Sequence, residues 1–158
     1  NAATNLGAAD HGFAKFADAA HSSGYLVKVG SDTDHYAVVS AAADKPLGVV
    51  LDSAATADLT LRKRTIAGPN YHKPVQMVAG GTVVEGDFVY QKSDGTVVPE
   101  PGVAGTYWRV GIARAAATTG LPVPVSLCTF VPYVVIANGA SLATTQAALT
   151  LGGFVKTL

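Results

Sequence analysis

From Tyr25 onward the chain is a succession of short β-type runs cut by turn residues. That rhythm limits the fold more than any other feature. YLVKV lies between Gly24 and Gly30, HYAVVSA follows the turn SDTD, and KPLGVVLD leads on to DLTLRKRTI, which AGPN closes. KPVQMVA runs into Gly80-Gly81, and TVVEGDFVYQ, TVVPE and TYWRVGIARA follow, with VPVSLCTFV and YVVIA after them. Roughly nine strands at a spacing of about 8–12 residues predict an all-β sandwich or small barrel. Pro46, Pro74, Pro99, Pro122 and Pro124 stand at or near the ends of these runs, where a missing N–H is tolerated.

The two ends of the chain read differently. Residues 1–24, NAATNLGAADHGFAKFADAAHSSG, are rich in Ala, Gly and Asn and lack strand alternation. Phe13 and Phe16 are spaced for one helical face, but the stretch is short for an independent helix and predicts an extended arm that orders against something else. Near the C-terminus, Asn138 or Ser141 is placed to cap a short helix, SLATTQAALTL, which Gly152-Gly153 would end. The expected organisation is an arm over 1–24, a β-rich domain over 25–130 and an extension with a short helix over 131–158.

Composition narrows the function. Eleven basic and eleven acidic residues cancel, and charged residues are 14% of the chain, against about 25% in ordinary soluble domains. A neutral, sparsely charged protein attracts polyanions weakly, so nucleic acid is not an expected partner. Such a surface leaves apolar area open to other protein. The single cysteine, Cys128, excludes an intrachain disulfide and a cysteine-based zinc cluster, and VSLCTFV predicts a buried small hydrophobe there. No signal-peptide pattern opens the chain, and VPYVVIANGA falls far short of the ~20 residues that span a bilayer, so no membrane is expected. Asn1 in place of a methionine predicts that an upstream residue or segment has been removed or left out.

Candidate chemistry is thin. SDTDH, Ser31 to His35, offers two carboxylates and an imidazole, but calcium needs more oxygen ligands, and Asp and Ser populate tight turns for their own reasons. His11, His21, His35 and His72 show none of the close pairings of zinc enzymes and are expected in solvated or interface positions. No G-x-S-x-G elbow, phosphate-cradling glycine loop or Walker lysine is present. The run Arg62, Lys63, Arg64 is the one basic cluster. It suits an acidic protein surface better than a nucleic-acid backbone, and a solvated edge strand equally well. These features predict no enzyme, no metal and no cofactor.

The stretch EGDFVYQKSDGTVVPEP, Glu85 to Pro101, carries four carboxylates around an Asp-Gly turn. Apolar runs flank Ser93-Asp94-Gly95, the strongest hairpin signal in the chain, and Glu85-Gly86-Asp87 reads as a turn into Phe88. Nothing in the pattern buries one carboxyl opposite another, so an acid–base pair is not expected. Alternation in TYWRVGI sets Tyr107 and Arg109 on one face and Trp108 and Val110 on the other, which predicts core packing for Trp108.

Three segments, KPLGVVLDSA, VQMVAGGTVVEGDFVYQKSDGTVVP and AGTYWRVGIARAAATTG, together resemble the capsid cement or head decoration proteins of tailed bacteriophages. The resemblance covers roughly Tyr25 to Val125 and rests mostly on turn glycines and short apolar runs. It implies a β-tulip-like barrel or sandwich and a structural protein of the virion without catalytic activity. It also implies a homotrimer made in the host cytoplasm, which binds the outside of the mature head and clamps neighbouring major capsid protein subunits. The capsid-contact candidates are then Leu6, Phe13 and Phe16 in the arm, together with Arg62, Lys63 and Arg64. Residues after about Phe130 lie outside this pattern.

Two other classes compete. GGTVVEGDFVY resembles biotinyl or lipoyl carrier domains superficially, but Gln76-Met77-Val78 lacks the exposed lysine that attachment needs. A hydrolase or glycan-binding β domain would need convergent polar groups, and only Trp108 and Tyr107 offer a stacking platform.

Overall fold

The computed structural model describes residues 12–158, and from Gly12 to Ala67 these build a closed five-stranded barrel. Its strands are β1 (Gly12–Ala17), β2 (Leu26–Val29), β3 (His35–Val38), β4 (Gly48–Val50) and β5 (Arg64–Ala67), in the order β1-β3-β2-β4-β5. β5 closes the ring against β1 in antiparallel register, with Phe13 opposite Ile66 and Lys15 opposite Arg64, while β1 runs parallel to β3. Closure leaves no barrel strand with an unpaired edge.

Period-two alternation divides β2, β4 and β5 between two cores. Val27, Tyr36, Val50 and Ile66 point inward with Ala17 and fill the barrel. Their neighbours Leu26, Val49 and Ala67 point outward, onto a second sheet. Gly48 lets β4 and β5 approach closely, since a Cβ there would collide with the Ala67 carbonyl oxygen.

The second sheet contains β6 (Val75–Val78), β7 (Phe88–Gln91), β8 (Val97–Val98), β9 (Gly105–Ala113), β10 (Pro122–Ile136) and β11 (Phe154–Thr157). The order is β11-β10-β9-β7-β8, and β6 pairs with the first part of β10. Met77, Val83, Val89, Val97, Val110, Val123 and Val125 pack with the outward barrel residues into one shared core. Barrel and sheet are thus a single packed body, and at about 1.5–3 kcal/mol per fully buried aliphatic side chain this core is the main source of stability.

A polar joint adds to it. Gln91 is fully buried, and its Nε2 donates to the carbonyls of Ala41 (3.3 Å), Ala42 (3.1 Å) and Asp44 (2.7 Å). Trp108 Nε1 donates to Ala43 O at 3.2 Å, and Lys28 pairs with the Asp44 carboxylate at 2.7 Å. Four consecutive residues of the β3–β4 loop are in this way held to the barrel and the second sheet.

The fold class is the expected one: all-β, with a small closed barrel and one short C-terminal helix. The hairpin at Ser93-Asp94-Gly95 forms as read. β7 and β8 pair across it, Gly95 takes φ +79°, and the Gly95 carbonyl accepts from Leu26 N at 2.8 Å, docking the turn on the barrel. The helix, α1 (Leu142–Thr150), is capped by Ser141, whose hydroxyl accepts from Thr144 N at 3.2 Å, and Gly152 ends it at φ +70°.

Four details differ from the sequence expectation. Phe13 and Phe16 do not share a helical face but stand on β1, because a barrel short of one strand recruits even a weak β-former. The expected 1–24 arm accordingly contains a barrel strand from Gly12 onward, while Leu6 and His11 lie outside the described residues. VPVSLCTFV and YVVIA are one strand, β10, whose register shifts between Leu127 and Val131, so the expected boundary at 130/131 falls inside it. DLTLRKRTI starts at the end of a 3₁₀ turn, Thr56–Asp58, and continues as turn and loop, and only Arg64 onward is strand.

Candidate functional site

The carboxylates of the 85–100 stretch have structural partners. Asp87 accepts from Val84 N at 3.0 Å and closes the turn in which Gly86 takes φ +89°. Asp94 accepts from Thr96 N at 3.1 Å within the hairpin, and Glu100 accepts from the Tyr133 hydroxyl and pairs with Lys156 at 2.9 Å. Burial raises the Asp94 pKa, but the Thr96 hydrogen bonds and Lys92 outweigh it and hold the carboxyl below its usual value. The Tyr133 hydrogen bond and Lys156 do the same for Glu100. Glu85 is exposed at the turn. Asp87 and Glu100 line one recess beside Phe88 and Tyr90, each already accepting a hydrogen bond from a neighbour.

The SDTDH segment is a turn. Asp32 Oδ1 accepts from Asp34 N and meets His35 Nδ1, both at 2.7 Å, and the His35 contact chiefly lowers the Asp32 pKa. Among the described residues no group of three or more His, Cys, Asp or Glu side chains is placed to hold a metal ion. His21 meets the hydroxyl of the fully buried Tyr36, whose pKa burial pushes up to about 12. Cys128 is half-buried rather than buried, and burial raises its thiol pKa.

These shifts carry a pH prediction. Asp32, Asp44, Asp94 and Glu100 have folded-state pKa values below their ordinary ones, Asp44 mainly through its Lys28 hydrogen bond. Their stabilisation is present above the unfolded carboxylate range and is lost as pH falls through the lower folded values. Calorimetry should show a thermal midpoint flat at neutral pH that drops below about pH 4. Asp44→Asn combined with Glu100→Gln should flatten that drop. Tyr36 works in the opposite sense: its contribution is complete below its unfolded value and is lost as pH rises through about 12.

The predicted contact residues do not form one surface. Phe13 is half-buried and packs on the barrel core. Phe16 stacks beside His35, with ring centroids 5.6 Å apart, and Lys63 Nζ lies 5.1 Å from the Phe16 centroid while pairing with Asp34 at 3.3 Å. Arg62 is exposed, but Arg64 is only 6% exposed. Arg64 Nε donates to Ser53 O at 2.7 Å and its guanidinium reaches Asp58 at 3.5 Å. The basic run is therefore one structural arginine, one lysine on an aromatic ring and one exposed arginine. Phe16, Lys63 and the turn at 32–35 do come together on one side of the barrel.

Sequence reasoning missed the outer face of the second sheet. Phe88 and Tyr90 on β7, Tyr107 and Arg109 on β9, Tyr133 on β10, and Phe154 on β11 share it, as registers such as Tyr90 opposite Arg109 and Tyr133 opposite Phe154 require. Tyr90 and Tyr133 pack at 4.6 Å between centroids. The Arg109 guanidinium carbon lies 4.6 Å from the Phe88 centroid and 4.3 Å from that of Phe154, and both phenylalanines are 46% exposed. The alternation in FVY, TYWR and FVK held the local part of this signal. Trp108 points the other way, into the shared core as expected, and the Tyr107 hydroxyl donates to Val103 O at 3.1 Å, so the two form no joint platform for a sugar.

A groove of about 700 Å³ lies between β10 and α1, lined by Thr106, Val134, Ile136, Ala147 and Leu151 among others. Leu142, Leu149 and Leu151 are exposed around it.

Compared with known proteins, the chain matches no family model and no curated sequence. Its fold is similar to a solved structure, the N base of head fiber gp8.5 in bacteriophage phi29. The TM-score is 0.54 at 21% identity, and the match covers 73% of this chain and 92% of that one. What the chain shares with that head fiber base is the fold.

Proposed function

We propose that this chain is a structural protein of a tailed-phage head. It sits on the outer surface as a homotrimer, binds the major capsid protein and holds neighbouring shell subunits together. The observation that carries this reading is the fold shared with the N base of the phi29 head fiber, over 92% of that chain. It agrees with the resemblance of the 45–120 segments to head decoration proteins, which rests on different data. The near-neutral, sparsely charged surface is consistent with protein contacts, and many copies acting together would let each contact be modest.

A second reading is favoured by the same match: a base that anchors a longer head appendage rather than a clamp. Both place the chain outside the shell and both are non-catalytic. Cosedimentation separates them from any enzymatic or soluble-carrier role. The purified chain should sediment with expanded heads lacking it, at a saturable stoichiometry in multiples of three, and not with precursor heads. Absence of saturable binding to either form would remove both readings.

A further inference from the structure

Arg109 meets the Cys128 thiol but, among the described residues, no carboxylate. Among the described residues it is half-buried and takes part in no ion pair, and no hydrogen bond is formed by its Nε, which is buried. Phe88 and Phe154 lie against it from strands on opposite sides of β9, and its polar neighbours include the Tyr90 hydroxyl and the Cys128 thiol, whose pKa values the guanidinium lowers against the larger effect of burial. The other partly or fully buried cation of this kind, Arg64, is satisfied by a carbonyl and a carboxylate. A guanidinium taken partly out of water without a counter-charge is costly, and its planar fork suits a carboxylate approaching edge-on beside the two rings.

We propose that the Phe88–Arg109–Phe154 cluster is the principal contact of this chain with a protein partner. The partner would present a single Asp or Glu carboxylate among apolar side chains. Charge complementarity selects the carboxylate, and the two half-exposed rings select its apolar surroundings. An arginine flanked by aromatic rings is the composition of an interface hot spot. A phosphate-rich polymer is disfavoured because Asp87 and Glu100 line the recess beside Phe88 and Tyr90, and the nearest lysine, Lys156, is already paired with Glu100. Identifying the partner as the shell protein rests on the function proposed above; the cluster and its chemistry do not.

Two measurements test it. In the first, the isolated chain is titrated with benzoate, an apolar carboxylate, while NMR follows the Arg109 side-chain N–H and the Phe88 and Phe154 rings. Benzoate should shift all three, benzamide should leave them in place, and Arg109→Gln should abolish the effect without changing the backbone amide spectrum elsewhere. No shift with benzoate, or a larger one with inorganic phosphate at equal concentration, would overturn the proposal. In the second, head binding by Arg109→Gln and Arg109→Lys should each weaken at least about tenfold, since lysine lacks the stacked fork. Wild-type binding to heads with unchanged affinity in both variants would overturn it. Sedimentation equilibrium showing that Arg109→Gln dissociates the oligomer would also overturn it, because the proposed partner is a protein other than a second copy of this chain. If wild-type chain fails to bind heads, the proposed function falls while the benzoate titration still decides the site.

Discussion

Deleting residues 1–24 is expected to abolish folding, whereas deleting residues 1–11 leaves every described strand in place. The difference lies in β1. Its pairs from Gly12 to Lys15 with β5, and from Phe16 and Ala17 with β3, are the two seams that close the barrel. Without β1, two strand edges open and Val27, Tyr36, Val50 and Ile66 lose one wall of their core. A loss of that size is comparable to the total stability of a domain, about 5–15 kcal/mol. Calorimetry should find no cooperative transition for the 25–158 chain and a near wild-type transition for the 12–158 chain. Under the proposed function, head binding by the 12–158 chain then reports the contribution of residues 1–11 free of any folding defect. A cooperative transition in the 25–158 chain would contradict the closed barrel.

Gln91→Leu is expected to cost about 2–4 kcal/mol, lowering Tm by roughly 5–15 °C for a chain of this size. Leucine has a similar volume but leaves the carbonyls of Ala41, Ala42 and Asp44 without their shared donor. Gln91 Oε1 has no hydrogen-bond partner of its own, so its removal offsets part of the loss. Gln91→Glu should be worse at neutral pH, since an ionised carboxylate would face three acceptors, and should recover partly in acid as it gains a proton to donate. Stability equal to wild type in Gln91→Leu would mean that Trp108 and Lys28 hold the loop unaided.

Strand β1 and Gln91 mark what could be read from sequence. Features whose cause is local were legible: the Ser93-Asp94-Gly95 hairpin, the Ser141 cap, the Gly152 stop and the two faces of TYWR. β1 and β11 were not, because GFAKFA and FVKT have little strand character alone and are strands through their partners, β3 and β5 for one and β10 for the other. The run at 62–64 misled for a related reason. Charge in a line does not reveal that Arg64 folds back onto Ser53 and Asp58. The outer aromatic face needed four strands in register before Phe88, Arg109 and Phe154 met, and Gln91 reaches a loop nearly fifty positions away.

The claim that this is an outer head protein is tested most directly by cryo-electron microscopy of tailed-phage heads assembled with and without the chain. The account predicts difference density on the outside of the shell, at three-fold positions, into which the barrel and second sheet fit with the Phe88–Arg109–Phe154 face against capsid protein. Density inside the shell, or none, would contradict it.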